Sequence, residues 1–146
     1  MPRTVTRLSD LSEIVPVFPL SGVILLPRAQ LPLNIFEPRY LNMIDDAMAG
    51  DRLIAMVQTT GGSAVRPDLA RVGCVGKITS FSETGDGRYL ITLTGLCRVR
   101  LTSEMAVQSP YRQCRVDYTD YEDDLTPDQG DLEGFDRARL IQALTL

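Results

Sequence analysis

Histidine is absent from the 146 residues, and Lys77 is the single lysine. Without an imidazole, neither a Ser-His nor a Cys-His pair can be assembled, which closes the commonest routes to an activated nucleophile. A Ser-Lys dyad would have to recruit Lys77. That residue falls mid-strand, with Ser80 three residues on and so on the opposite face. No Gly-x-x-x-x-Gly-Lys-Ser/Thr string is present to cradle a nucleotide phosphate. Cysteine is sparse: Cys74, Cys97 and Cys114 are odd in number and widely spaced, which excludes a CxxC redox or zinc motif. Each lies in an apolar, strand-like stretch and is expected to be a reduced core residue. No apolar run follows Arg3 and Arg7 at signal-peptide length, and none approaches the ~18 residues that would span a bilayer. A cytoplasmic protein without membrane partner, catalytic residues, metal or cofactor is the expectation.

Positive charge is also scarce. A net charge of -4 and a pI near 4.8 disfavour a domain built to neutralise a phosphate backbone, which needs concentrated Lys and Arg. The basic residues other than Lys77 are arginines, suited to geometrically defined carboxylate pairing. Hydrophobic residues at 44% and charged residues at 23% are ordinary for one packed domain that folds without disulfides.

The pattern along the chain is mostly strand. Met1 to Glu13 is polar and expected to fray. Ile14 to Leu20 reads as an edge or irregular strand because of Pro16 and Pro19, and a turn after Gly22 leads to a strand over Leu31 to Ile35. Pro38 suits the first helical turn and Gly50 the stop, so a helix is predicted over Pro38 to Ala49, burying Tyr40, Leu41, Ile44, Ala47 and Met48. Leu53 to Val57 is a continuous apolar run of the kind expected for a fully buried strand. Thr59 to Leu69 is expected to be a flexible loop. Val72 to Glu83 and Tyr89 to Leu101 form a hairpin about Thr84-Gly85-Asp86-Gly87, with Tyr89, Ile91, Leu93, Cys97, Val99 and Leu101 on one face. Gly95 interrupts that face without a side chain, which suggests the bend or bulge by which a sheet curls into a barrel. Tyr111 to Tyr118 adds a further antiparallel strand. Two regions are therefore expected: residues 1–118 as a β-barrel domain, and 119–146 as an acidic linker and the start of a C-terminal helical region. The apolar stripe Phe135, Ala138, Ile141 and Leu144 stops without a cap, as if further helices follow. The acidic residues lack the Asp-x-Asp-x-Asp-Gly spacing of a calcium loop and read as a solvated linker.

Phe18-Pro19-Leu20, Leu26-Pro27 and the run Leu31-Pro32-Leu33-Asn34-Ile35-Phe36-Glu37-Pro38-Arg39-Tyr40 resemble the Lon protease N-terminal (LON substrate-binding) domain family. The likeness continues through Asp51-Arg52, Val72 to Ile78, Asp86-Gly87-Arg88-Tyr89 and Gly95 to Val99. It covers roughly Val15 to Tyr118, and its best match is the short stand-alone bacterial members. The resemblance implies a mainly β (α+β) fold, a PUA-like pseudo-barrel of antiparallel strands with one packed helix. It also implies a non-enzymatic module that recognises exposed or unfolded polypeptide segments and works alongside protease components. PUA-like relatives make an RNA-binding domain the alternative.

Candidate site residues follow from placement beside the helix start. Leu31, Leu33 and Phe36 are suited to an apolar groove that accepts an extended segment, with core packing as the competing role. Glu37 and Arg39 would form its lip, although Glu37 equally suits capping the helix N-terminus and Tyr40 belongs to the helix's apolar stripe. Arg39, on the polar side, is the better external contact. Arg98, Arg100 and Arg115 share outward phases on neighbouring strands and form the alternative basic face, with a solvated ion-pair surface as its plainer reading.

Overall fold

The computed structural model describes residues 11–63, 66–107 and 109–125. In chain order these form β1 (Ile14–Leu20), β2 (Gln30–Ile35), α1 (Pro38–Ala49), β3 (Leu53–Gly62), β4 (Pro67–Leu69), β5 (Val72–Glu83), β6 (Tyr89–Glu104), β7 (Arg112–Asp117) and a 3-10 helix (Thr119–Leu125). The mainly β class with one packed helix agrees with the sequence.

Five strands close on themselves. β1 runs antiparallel to β7, β7 to β6, β6 to β5 and β5 to β3, and β3 returns to β1. The closing pair is parallel, with Val17 opposite Ala55 and Leu20 opposite Gln58, so the barrel is not wholly antiparallel as expected. The connection from β1 to β3 carries β2 and α1, which is the long crossover a parallel pair requires. β2 lies outside the ring and pairs only the first half of β6, Gln30–Ile35 against Tyr89–Thr94.

The closed sheet has two apolar faces. Val15, Val17, Ala55, Val75, Cys97 and Val99 fill its interior, where β-branched and small side chains suit a narrow barrel. Outside, Phe18, Ile54 and Met56 pack with Tyr40, Met43 and Ile44 of α1. β3 serves both faces, and for that reason Leu53 to Val57 is buried throughout. The helix buries Tyr40, Met43, Ile44 and Ala47. Leu41 and Met48 are only partly covered, whereas Met43, absent from the expected face, is fully buried. Two phenols hold the polar side of this helix to the sheet: Tyr89 donates to Asp45 (2.7 Å) and Tyr111 to Asp46 (2.6 Å). Gly50 ends the helix by donating to the Asp46 and Ala47 carbonyls, while the positive φ that follows falls on Arg52 (66°).

Gly95 is the pivot of β6. Val75 faces Cys97 while Gly76 faces Gly95, so Leu96 is an extra residue in the ladder. A Cβ at Gly95 would overlap the carbonyl oxygen of Leu26, so only glycine admits the loop before β2 this closely. The bulge splits the expected single face of this strand: Ile91 and Leu93 join the outer cluster, and Cys97 and Val99 the barrel interior. In the β5–β6 hairpin, Gly87 takes φ +85°, the left-handed residue of a three-residue hairpin loop.

Three expectations are corrected. Residues 59–62 are not loop: they extend β3 and pair with β4, the ladder shifting register between Thr59 and Gly61. The Gly61-Gly62 pair, which reads as loop in sequence, instead accommodates positive φ at the shifted end of the ladder. Leu11 is buried, and the Glu13 carbonyl accepts from the Val116 amide, so 11–13 is anchored rather than frayed. Residues 119–125, expected as solvated linker, dock on β6, with Tyr121 and Leu125 packed against the interior cluster. The stripe from Phe135 to Leu144 lies outside the described residues.

Candidate peptide-binding groove

β1 leaves its partner β7 at Val17, and Phe18, Pro19 and Leu20 continue against β3 alone. The space beside them is walled by the β2–α1 junction on one side and the β3–β4 hairpin on the other. It forms a groove of about 500 Å³ lined by Leu20, Leu33, Phe36, Glu37, Arg39 and Tyr40, with Thr59, Gly61, Gly62 and Pro67 along the hairpin side. Pro19 and Pro67 lack amide hydrogens, so these walls present fewer backbone donors than ordinary strands. Ser21 and Thr59 are hydrogen-bonded through their hydroxyls at 2.6 Å, tying the hairpin to β1.

The floor is aromatic. Tyr40 stacks on Phe18 with ring centroids 4.5 Å apart, and the Arg39 guanidinium lies 4.7 Å from the Tyr40 ring centroid. Burial raises the Tyr40 pKa against the lowering influence of Arg39, so this phenol stays neutral across the physiological range. Phe36 stands on the rim at 64% exposure, with the Arg88 guanidinium 5.9 Å from its ring centroid. An aromatic side chain left this open directly before a helix is out of place in a core and suited to a contact surface.

Four of the expected residues, Leu33, Phe36, Glu37 and Arg39, therefore meet in one groove. Leu31 does not: at 2% exposure it is a core residue paired with Leu93. Glu37 makes no side-chain cap. Its carbonyl accepts from the Tyr40 and Leu41 amides, while its carboxylate lies 3.8 Å from Arg39. The carboxylate is thus left on the lip. Sequence reading missed Leu20 and the β3–β4 hairpin as walls, because their nearness to Phe36 is created by the parallel β1–β3 pairing and has no local signal.

The alternative basic face is neutralised. Arg98 grips Asp124 with Nε at 3.0 Å, Nη2 at 3.0 Å and its backbone amide at 2.9 Å. Arg100 meets Asp120 at 2.5 Å and Arg115 meets Glu13 at 3.4 Å. Burial works to raise the Asp124 pKa, but the Arg98 hydrogen bonds outweigh it and hold the carboxyl below its ordinary value. The partners are largely residues of the segment expected to be linker. The three thiols are core groups: burial pushes Cys74 and Cys97 up to about 12 and raises Cys114, which leaves them protonated and poor nucleophiles. Among the described residues no group of three metal-ligating side chains gathers, and no helix is long and apolar enough to cross a membrane.

A small closed β-barrel with one helix packed outside it and a groove beside that helix's first turn defines the class of this protein as a LON-type pseudo-barrel. The sequence comparison places it: the model of the ATP-dependent protease La (LON) substrate-binding domain matches residues 14–143, and the chain belongs to that family. It is 34% identical over 119 residues to a Lon protease of Syntrophus aciditrophicus, covering 77% of this chain and 15% of that protein. It is 32% identical over 105 residues to a Lon protease of Desulfosudis oleivorans, covering 69% and 13%. The chain thus spans only about a seventh of the length of these relatives. Among solved structures it resembles the Lon N-terminal domain protein from Xanthomonas campestris, with a TM-score of 0.59, 26% identity, and coverage of 72% of this chain and 59% of that one. The N-terminal domain of Mycobacterium avium complex Lon protease shares the fold at 14% identity, with a TM-score of 0.58 and coverage of 90% and 74%.

Proposed function

We propose that this protein is a non-enzymatic binding module that takes exposed or unfolded polypeptide segments into the groove at the β2–α1 junction, acting with protease components in the cytoplasm. The observation that carries the reading is Phe36, 64% exposed on the rim of a groove of about 500 Å³ to which Leu20, Leu33 and Tyr40 contribute apolar wall, in a chain of the substrate-binding family. Unfolded segments expose the apolar side chains that native surfaces bury, so a groove with an aromatic rim distinguishes the two states without needing a sequence code. Association through Arg98, Arg100 and Arg115 with RNA is disfavoured by their carboxylate partners, since each cation would have to exchange an existing ion pair for a phosphate.

The test is equilibrium binding of one protein in native and in reduced, carboxymethylated unfolded form. Saturable binding of the unfolded form alone, weakened roughly tenfold or more by Phe36→Ala with Arg39→Ala in a variant of unchanged circular dichroism, is the expected result. Equal affinity for both forms would sink the proposal.

A further inference from the structure

Two sheet edges run out along the groove. β2 pairs only with β6, so among the described residues its other edge has no strand beside it. The ladder decides which backbone groups that edge presents. The Gly95 amide donates to the Ala29 carbonyl, and Gln30 stands opposite Thr94. Antiparallel alternation therefore turns the backbone groups of Leu31, Leu33 and Ile35 towards β6. Left on the open side are the amides and carbonyls of Gln30 and Asn34 and the carbonyl of Pro32. A proline is tolerated there because its nitrogen faces away from the ladder. Asn34 is exposed and lines the groove between Leu33 and Phe36.

The second edge belongs to β3. Its parallel partner β1 ends at Leu20 opposite Gln58, while β3 runs on through Gly62 paired only with β4. A Cβ built on Gly61 has a single neighbour within 4 Å, the Asp68 Oδ2 at 3.8 Å, so this wall leaves room for another backbone to come close. Charge does not choose the occupant. Glu37 lies against Arg39, and Glu104 holds Arg66 and Arg112 in the adjoining cavity of about 350 Å³.

We infer that the groove binds its occupant as an added β-strand, hydrogen-bonded main chain to main chain along the open edge of β2 at Pro32 and Asn34. This rests on the peptide-binding reading of the groove and deepens it, naming the ligand class as an extended segment whose own amides are unpaired. Native chains have almost all their buried amides paired, and unfolding releases them. Main-chain bonds then supply recognition that tolerates any sequence, while alternate side chains rest on Leu20, Leu33 and Tyr40. The open edge is richer in acceptors than donors, since Pro32 brings a carbonyl without an amide. The occupant's N-H groups therefore matter more than its carbonyls. Only every second residue of a strand turns towards a given neighbour, so the N-H groups that reach Pro32 and Asn34 lie two residues apart.

The experiment uses a short, fluorescently labelled peptide with capped ends and one Leu-Phe pair among alanines and serines. In a companion series each amide in turn is replaced by an ester, which removes one N-H and keeps the shape. Fluorescence anisotropy is expected to show affinity falling about fivefold for esters at two alternate positions and hardly changing for the position between them. Asn34→Pro, with circular dichroism unchanged, should weaken the unmodified peptide to a similar degree. Gln30→Pro, on the same edge but outside the groove lining, should bind as wild type does. Esters that weaken binding equally at every position, or at none, overturn the added strand and leave the groove reading standing on side-chain contacts. An Asn34→Pro protein that folds and binds the peptide normally overturns the assignment to β2. Where that variant does not fold, the ester series on the unaltered protein decides. No binding of the unmodified peptide overturns the groove reading and this one with it.

Discussion

Gly95 shows how one missing side chain decides a fold. Its Cα faces the Leu26 carbonyl so closely that a methyl group overlaps backbone, which cannot rotate aside. Gly95→Ala is therefore expected to cost about 3 kcal/mol or more, measured by urea denaturation, because relief requires moving the loop before β2 or opening the bulge. Gly85→Ala supplies the comparison: nothing lies within 4 Å of a Cβ there and its φ is not left-handed, so it should be close to neutral. A Gly95→Ala protein as stable as wild type would show that the loop is free to retreat. Sequence reading found the position from an apolar alternation interrupted by glycine. It did not find the partner, since Leu26 lies across a contact that alternation does not encode.

Among the elements, the short 3-10 helix is the one whose composition misleads. Its acidic residues argue for solvation, yet Arg98 and Arg100 of β6 draw Asp124 and Asp120 onto the barrel, and Tyr121 and Leu125 follow into the apolar cluster. The Cys97 thiol approaches the Tyr121 carbonyl at 3.3 Å on the same face. Asp124→Asn keeps the shape and removes the charge. It is expected to destabilise the protein by about 1 kcal/mol at neutral pH, since Arg98 is half exposed and solvent screens the pair. The amide of Arg98, which donates to Asp124, should then exchange faster with deuterium. The folded-state pKa of Asp124 lies below its ordinary 3.8. Its contribution is therefore complete above that ordinary value and is lost as pH falls through the lower, folded-state value. The difference between wild type and Asp124→Asn should vanish in acid, and a difference independent of pH would assign the effect to packing instead.

At the scale of the whole molecule, closure is the decisive event. β1 must find β3 on one edge and β7, about a hundred residues away along the chain, on the other. Such pairing spends loop entropy before the interior valines become dry. Refolding after dilution from urea is expected in the millisecond-to-second range typical of non-local β topologies, and microsecond refolding in stopped-flow or temperature-jump fluorescence would contradict it. The same closure creates the groove, since the parallel β1–β3 pair brings Leu20 and the β3–β4 hairpin opposite Phe36.

What the sequence by itself determined was everything governed by local periodicity and special residues. The helix between Pro38 and Ala49, the fully buried run Leu53 to Val57, the hairpin about Gly87 and the bulge at Gly95 all follow from side-chain spacing or from backbone conformations that few residues tolerate. Four of the five candidate groove residues were legible because they sit within a few positions of one strand-to-helix junction. Tertiary structure alone decided that Leu31 points into the core, that Arg98, Arg100 and Arg115 are already paired, and that Arg39, Arg66 and Arg112 share one cavity. Those outcomes depend on pairing between segments tens of residues apart, and the energy of such pairing resides in neither segment alone.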